Sequence, residues 1–391
     1  MYVNRDIEAR FRNISENYTL VALVGPRQSG KTTFLRELSR PLNSSYVMFD
    51  DPDARGFFDH DIKKFEFQFM EGFDITVLDE VQYCSDAGPK LKYLVDSGRK
   101  MWATSSSEIL LGKEVLSHLV GRVSVLRLYP FTLREFLRAR GFKTVISETL
   151  ERNVWEHMTY GGYPKVVTTK DPKMKAIILN DLCETMLLKD VAMTFSITDL
   201  GALEKLAKYL AATPGGIMSY GTVSKALNIS FQTLKKYLDA LEKSYLIVPV
   251  IPYFTNKSRE LAKQPKIYYM DTGLRNSVAR EFGTEPDGKI FENYVLSELV
   301  KAGLAPKYWR TKARAEVDFV VEIGGKPIPI EVKLNPDTGK VESGLRSFIY
   351  SYEPKNAYVV SYKGKKGKMM LNGCTVHFMD VLEFSEVITA D

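Results

Sequence analysis

The apolar positions of this chain fall into short unbroken runs near its start. Leu20–Val24 is apolar throughout, and after a glycine-containing turn Phe34, Leu35 and Leu38 recur at helical spacing. A five-residue apolar run suits a strand buried on both faces of a parallel sheet, and the 3–4 spacing after it suits a helix. Ile75–Leu78 is a second buried-strand run, and 100–103 a third strand-like stretch. From Pro130 to about Ser196 the pattern becomes helical, with Phe131, Phe136 and Leu137 on one side and Arg134, Glu135, Arg138 and Arg140 on the other; the turn GGYP, Gly161 to Pro164, interrupts it. Three helical stretches then precede an apolar strand at 245–253, and a further strand is expected at 266–271. The remainder predicts an amphipathic helix at 288–303, carrying Phe291, Val295, Leu296 and Leu299, and strands around Asp318, 328–334 and either side of a lysine-rich turn. Strands alternating with helices predict an α/β fold.

The loop after the first strand carries specific chemistry. Gly25, Pro26, Arg27, Gln28, Ser29, Gly30, Lys31 and Thr32 have the spacing GxxxxGK[ST], with Thr33 following. Glycines let the backbone turn its N–H groups toward phosphate oxygens at a helix N-terminus; Lys31 would reach the β- and γ-phosphates and Thr32 would ligate Mg²⁺. The alternative, a glycine turn with an incidental lysine, does not account for the strand before it and the helix after it. At the end of the 75–78 run, Asp79 and Glu80 form a Walker B pattern: Asp79 would hold the metal through water and Glu80 would orient or deprotonate the attacking water. This acidic element is expected on a strand neighbouring the first. Otherwise the pair caps the next helix. The polar run Thr104–Ser107 makes Ser105 a candidate γ-phosphate sensor or, alternatively, part of a helix cap before Glu108. Arg122 is either an arginine finger or one half of a structural ion pair.

The order GPRQSGKTT, VLDEVQ, a small-polar turn, LVGRVSVLRLYPFTLREF and GGYP resembles a family of archaeal and bacterial AAA-type ATPases whose P-loop module is followed by a PD-(D/E)XK nuclease-like domain of unknown function. The resemblance spans nearly the whole chain, although Thr104 stands where the family usually has glycine. It implies ATP and Mg²⁺ as cofactors, a helical lid over the nucleotide, and room for a homo-oligomer in which one subunit's arginine reaches the next subunit's nucleotide. The expected domains are a P-loop core (1–130), a helical lid (131–199), a winged helix (200–270) and a nuclease-like α/β domain (271–391).

Within the expected winged helix, Ser230 would cap a recognition helix over 231–243, with Gln232, Thr233, Lys235 and Lys236 outward if Leu234, Leu238 and Leu241 face the core. That face would contact DNA or dock a protein partner. Lys257, Arg259 and Lys263 are either a wing tip on phosphate or solvated charge. Further on, Glu292 lies in a helix, Asp318 on a strand, and Glu331 and Lys333 two apart on the next strand, so their side chains share a face. This is the PD-(D/E)XK pattern, with Val317 in place of the usual proline. Asp318 and Glu331 could converge on a metal, Lys333 could steady a hydroxide or phosphate, and Glu292 would complete the cluster. Amphipathic strands with exposed charges are the plainer alternative. Lys363, Lys365, Lys366 and Lys368 form a basic turn that contacts phosphate or discourages edge pairing.

Composition narrows these readings only slightly. The chain has 391 residues, 45% hydrophobic and 26% charged, within the range of folded multidomain proteins. Its formal charge of +6 hints weakly at a polyanion partner. Cys84, Cys183 and Cys374 form no CxxC pair, and His60, His118, His157 and His377 have no metal-ligand spacing, so neither a zinc site nor a disulfide framework is expected. No apolar run approaches the ~18 residues of a membrane span, and the first residues lack a signal-like core, so a cytoplasmic protein without membrane contact is expected. Three functions fit: an Mg²⁺-dependent ATPase controlling a DNA-binding, nuclease-like module; an ATP-regulated metal-dependent DNA nuclease; or a non-hydrolysing nucleotide switch that docks a protein.

Overall fold

The computed structural model describes residues 2–106, 119, 121–142, 147–254, 264–283, 285, 287–364 and 366–389. Ser107, Glu108, His118, Lys257, Arg259, Lys263 and Lys365 lie outside the described residues. The chain forms two compact units, Met1–Phe131 and Thr132–Asp391.

In the first unit β1 (Leu20–Val24), β2 (Ser44–Met48), β3 (Ile75–Asp79), β4 (Met101–Ser105) and β5 (Val123–Arg127) form one sheet in the order β2-β3-β4-β1-β5. Every pairing is parallel, so all five strands point their C-terminal ends to one edge. Parallel strands are buried on both faces, which is why β1 is apolar at every position. Val21 and Leu23 pack with Phe34, Leu35 and Leu38 of the helix Lys31–Ser39 and with Phe11 and Trp102. Leu20, Ala22 and Val24 join Leu78, Leu91 and Leu94 in a separate cluster. Each large side chain so buried contributes roughly 1.5–3 kcal/mol. The strand carrying the acidic pair is not the neighbour of β1, as expected from sequence, because β4 stands between them.

The second unit begins with the helices Leu133–Ala139, Ser147–Tyr160, Pro164–Thr168 and Pro172–Thr185, the last running into a π-helical segment, Met186–Met193. The helices expected as a lid therefore share a unit with everything that follows them. Within it the Leu133 N–H donates to Glu298 at 2.8 Å, and His157 meets the Tyr294 hydroxyl at 2.8 Å. Helices Leu200–Ala212, Tyr220–Leu227 and Phe231–Lys243 follow, with a small antiparallel sheet of β6 (Gly216–Ile217), β7 (Ile247–Val250) and β8 (Lys266–Tyr269) in the order β6-β8-β7. Beyond the helices Thr272–Ala279 and Gly288–Lys301 lies a mixed six-stranded sheet, ordered β13-β14-β12-β11-β10-β9, of β9 (Lys307–Arg310), β10 (Glu316–Ile323), β11 (Lys326–Lys333), β12 (Asn356–Ser361), β13 (Gly367–Leu371) and β14 (Cys374–Asp380). The β10–β11 hairpin turns through Gly324 and Gly325, both at positive φ. The helix Ser343–Tyr352 covers Val317, Val320, Ala357 and Val359 with Leu345, Phe348 and Ile349.

The GGYP turn is a structural joint. Asp271 accepts N–H bonds from Gly162 at 2.9 Å, Gly273 at 2.9 Å and Leu274 at 3.2 Å, and so caps the helix Thr272–Ala279 while holding the turn. Gly161 sits at φ +72°, and a Cβ there would lie 1.9 Å from Asp271 Oδ1. Glycine is required on both counts.

Candidate functional site

The loop after β1 is shaped by contacts that exclude side chains. Gly25 has φ +149°, and a Cβ on it would approach the Leu128 carbonyl oxygen to 2.1 Å. Gly30, at φ +99°, opens the helix Lys31–Ser39. Pro26, Arg27 and Gln28 span the loop between these glycines, with Gln28 at φ +59°, and Thr33 is exposed in the helix's first turn. Lys31 is buried, its ammonium donating to the carbonyls of Gly25 at 3.0 Å and Pro26 at 3.1 Å. Arg5 supports the loop from outside the motif, donating to the carbonyls of Ser29 at 2.9 Å and Tyr129 at 2.5 Å, with its guanidinium 4.8 Å from the Phe131 ring centroid. No local pattern around Arg5 marks this role.

The register of the sheet brings the acidic pair to the same edge. Val24 pairs with Ser105, and Leu78 with Ala103, so β1, β4 and β3 end nearly level. Asp79 Oδ1 accepts from the hydroxyls of Thr32 at 3.2 Å and Thr104 at 2.5 Å, and Oδ2 accepts from the Tyr46 hydroxyl at 2.8 Å. Burial, then the Asp79 charge, holds the Tyr46 hydroxyl well above its ordinary range, so it stays a donor. Glu80 takes a left-handed conformation, φ +62°, and its N–H donates to Thr104 Oγ1 at 2.8 Å. A side chain other than glycine in that region marks a constrained position. The Gln82 amide donates to the Glu80 carboxylate and, at 2.9 Å, to Ser106 Oγ.

In the small-polar turn, Thr104 contacts both Asp79 and Glu80, and Ser106 contacts Gln82. Ser105, the residue singled out from sequence, is buried and occupies the intervening position, which alternation along a strand directs to the other face. Arg122 lies just before β5, at the N-terminal end of the parallel sheet and opposite the loop edge, where it is ion-paired with Asp96. That position rules out contact with the nucleotide site of its own chain and favours the ion-pair alternative. The oxygen donors of Thr32 and Asp79 suit Mg²⁺, which takes one or two protein oxygens and completes its shell with phosphates and water.

The second unit gathers the other set of residues singled out from sequence. Phe319 pairs with Ile330 in the antiparallel β10–β11 ladder, which sets Asp318 opposite Glu331. Asp318 accepts the Val332 N–H at 2.8 Å, and Lys333 pairs with Glu331 at 2.7 Å. Glu292 reaches the cluster from the helix Gly288–Lys301. Burial, then the charges of Glu331 and Glu292, pushes the Asp318 carboxyl well above its ordinary range; burial also raises that of Glu331, against the pull of Lys333. A cleft of about 620 Å³ opens beside Lys289, Glu292, Asp318 and Lys333.

Three further residues complete this cluster, and none is marked by the ExK spacing. Lys266 on β8 lies 2.6 Å from Glu316 Oε1 and 3.2 Å from Glu292 Oε1, and Tyr268 donates to Glu292. Burial alone would lower the Lys266 ammonium, but Glu292, Glu316 and Asp318 together hold it above its ordinary value. Among the described residues no three His, Cys, Asp or Glu side chains are grouped to hold a metal ion. The metal role expected for Asp318 and Glu331 does not fit this arrangement, because an ammonium already sits among the carboxylates.

The surface residues named from sequence divide. On the helix Phe231–Lys243, Gln232, Lys235 and Lys236 are exposed while Leu234, Leu238 and Leu241 are buried; Lys235 stands 4.8 Å from the half-exposed Phe231 ring. In the lysine-rich turn, Lys363 pairs with Glu151 at 3.3 Å, and Lys366 pairs with Asp380 at 2.7 Å and Glu383 at 3.1 Å. Cys84, Cys183 and Cys374 are all free and buried. Among the described residues no helix is long and apolar enough to cross a membrane.

Three families match the chain in sequence: an AAA domain over residues 17–137, and domains of unknown function over residues 151–285 (DUF8612) and 287–378 (DUF4143). An uncharacterized protein of Mycobacterium tuberculosis is 28% identical over 376 residues, covering 92% of this chain and 80% of its own length. An uncharacterized protein of Methanocaldococcus jannaschii is 26% identical over 341 residues, covering 82% of this chain and 75% of its own. Among solved structures, a Walker-type ATPase of Pyrococcus abyssi aligns with 16% identity and a TM-score of 0.47, over 71% of this chain and 96% of that one. The AAA domain match falls mostly on the first unit, whose five-stranded parallel sheet with flanking helices fits a P-loop α/β fold.

Proposed function

We propose that the chain is an Mg²⁺-dependent ATPase whose nucleotide state controls DNA binding by its second unit. The observation that carries this reading is the meeting of Thr32, Asp79 and Thr104 at the edge of the parallel sheet where the loop of Lys31 also lies. The AAA domain match over the same residues supports it. Backbone N–H groups of residues 27–31 would cradle the phosphates, and Lys31 would leave its carbonyl partners for the β- and γ-phosphate oxygens. Thr32 and Asp79 would hold Mg²⁺, which neutralises charge on the phosphates. Glu80, steadied by Gln82 and Ser106, would orient and deprotonate the attacking water.

The DNA-binding part of the proposal rests on the small helical module. Three helices and the β6-β8-β7 sheet support a winged-helix reading, and the exposed Gln232, Lys235 and Lys236 beside Phe231 offer cations and an aromatic face to a phosphate backbone. The helix of Glu292, the strand of Asp318 and the Glu331/Lys333 strand support a nuclease-like fold for the last part of the chain. Its cation-filled cluster favours binding over cleavage.

Steady-state phosphate release from Mg-ATP, with and without double-stranded DNA and with Lys31→Ala as the blank, tests the proposal. Turnover that rises with DNA and vanishes in the variant is the expected result. No turnover under any condition overturns the ATPase reading; turnover indifferent to DNA moves the winged helix to protein docking.

A further inference from the structure

We propose that Lys266 is the resident cation of the carboxylate cluster in the second unit, standing where a divalent metal would have to bind. The inference rests on the geometry of that cluster alone and is independent of the ATPase reading.

Lys266 is only 4% exposed and lies on β8, the central strand of its sheet, in register with Ile217 on one side and Val250 on the other. Its main chain is thus held by two neighbours. The side chain is held as well: the ammonium is 2.6 Å from Glu316 and 3.2 Å from Glu292, and 5.6 Å from the centroid of the Tyr308 ring. Tyr268, two residues along the strand and therefore on the same face, donates to the Glu292 oxygen that Lys266 contacts.

The other carboxylates are occupied in turn. Arg310 lies 3.4 Å from Glu316, Lys333 pairs with Glu331 at 2.7 Å, and Asp318 takes the Val332 N–H. Glu331 Oε2 is the one buried side-chain oxygen of the four carboxylates without a partner among the described residues. A divalent ion needs about six oxygen ligands. Here it would have to displace an ammonium that is buried and already paired with two of the same carboxylates. Three cations already face the four carboxylates, so a further two positive charges would find little negative charge uncompensated.

Mn²⁺ binding to the full chain without nucleotide, measured from the electron paramagnetic resonance of free Mn²⁺, tests this. Wild type and Asp318→Asn are expected to bind Mn²⁺ identically, whereas Lys266→Met gains one ion per chain that Lys266→Met/Asp318→Asn loses. The proposal is overturned by an ion bound to wild type and lost in Asp318→Asn, or by a folded Lys266→Met that gains none. Should Lys266→Met fail to fold, Lys266→Gln takes its place, and the comparison of wild type with Asp318→Asn decides by itself. Because neither ATP nor DNA is present, a negative result leaves the ATPase assay untouched.

Discussion

The molecule contains two acidic clusters, and they are compensated in opposite ways. Asp79 is contacted by three neutral hydroxyls, those of Thr32, Tyr46 and Thr104, while the nearby Lys31 rests on backbone carbonyls. Glu292, Glu316 and Glu331 are each paired with a lysine of the chain itself. Hydroxyl donors orient a carboxylate but leave its charge in place, so the first cluster still attracts a cation from outside. A buried ammonium cancels charge and resists removal, since breaking such a pair strands its partners in a poorly solvated site. Similar residue types therefore leave a carboxylate with its charge uncancelled in one unit and a cluster paired with ammonium groups in the other.

The largest test of this contrast removes the proposed base beside the first cluster. Glu80→Gln is expected to lower ATP hydrolysis by about 10²–10⁴-fold while binding of a fluorescent ATP analogue persists; hydrolysis at the wild-type rate would remove Glu80 from the reaction. In the second cluster, Lys266→Met should cost about 3–5 kcal/mol of unfolding free energy, because the carboxylates lose their buried partner. Urea denaturation followed through tryptophan fluorescence, with Trp102 and Trp155 replaced by Phe so that Trp309 alone reports, measures it. The cost should shrink in acid. The Asp318 and Glu331 carboxyls are raised in the folded protein, so the folded state takes up protons at a higher pH than the unfolded one. Their influence on stability is most favourable below the unfolded carboxyl range and is lost as pH rises through the folded values. A cost that stays level from neutral pH to that range would argue that Lys266 does not act through these charges.

A smaller effect separates neighbours on β4. Thr104→Val leaves the Glu80 N–H and one Asp79 oxygen without that hydroxyl, a loss of about 1–3 kcal/mol that should appear mainly in kcat. Ser105→Ala should do less, and the reverse order would restore Ser105 as the sensor. Least of all is expected from Arg122→Ala, whose ion pair with Asp96 is exposed at the far end of the sheet. Hydrolysis should be unchanged at all protein concentrations. A defect that grows as the protein is concentrated would instead place Arg122 at a neighbouring chain's nucleotide.

Much of the first site was legible because its chemistry is local. Gly25, Gly30, Lys31 and Thr32 fall within eight residues, and a turn that must present N–H groups to phosphate needs them at that spacing. Asp79 and Glu80 were equally plain, as polar residues ending an apolar run. The hydroxyls around Asp79 were not, since Tyr46 and Thr104 stand far from it in sequence and arrive only because β2 and β4 flank β3. Arg5 was invisible for the same reason. In the second unit, Glu331 and Lys333 could be paired from strand alternation, and their convergence with Asp318 followed from the hairpin. Lys266 comes from a different sheet, and nothing in KIYYMD distinguishes it from a lysine at the start of a strand.

The amino-acid sequence by itself determined the elements and the reactive loop, because apolar periodicity, glycine conformation and motif spacing act over a few residues. It also specified the GGYP joint as a turn, without saying why glycine was needed at position 161. Only the tertiary structure decided that Thr104 meets the acidic pair, that Arg122 sits at the end of the sheet opposite the loop, and that an ammonium fills the second cluster. Each of these depends on strand order and register, and a shift of one residue or one strand would put a different charge at the same point in space.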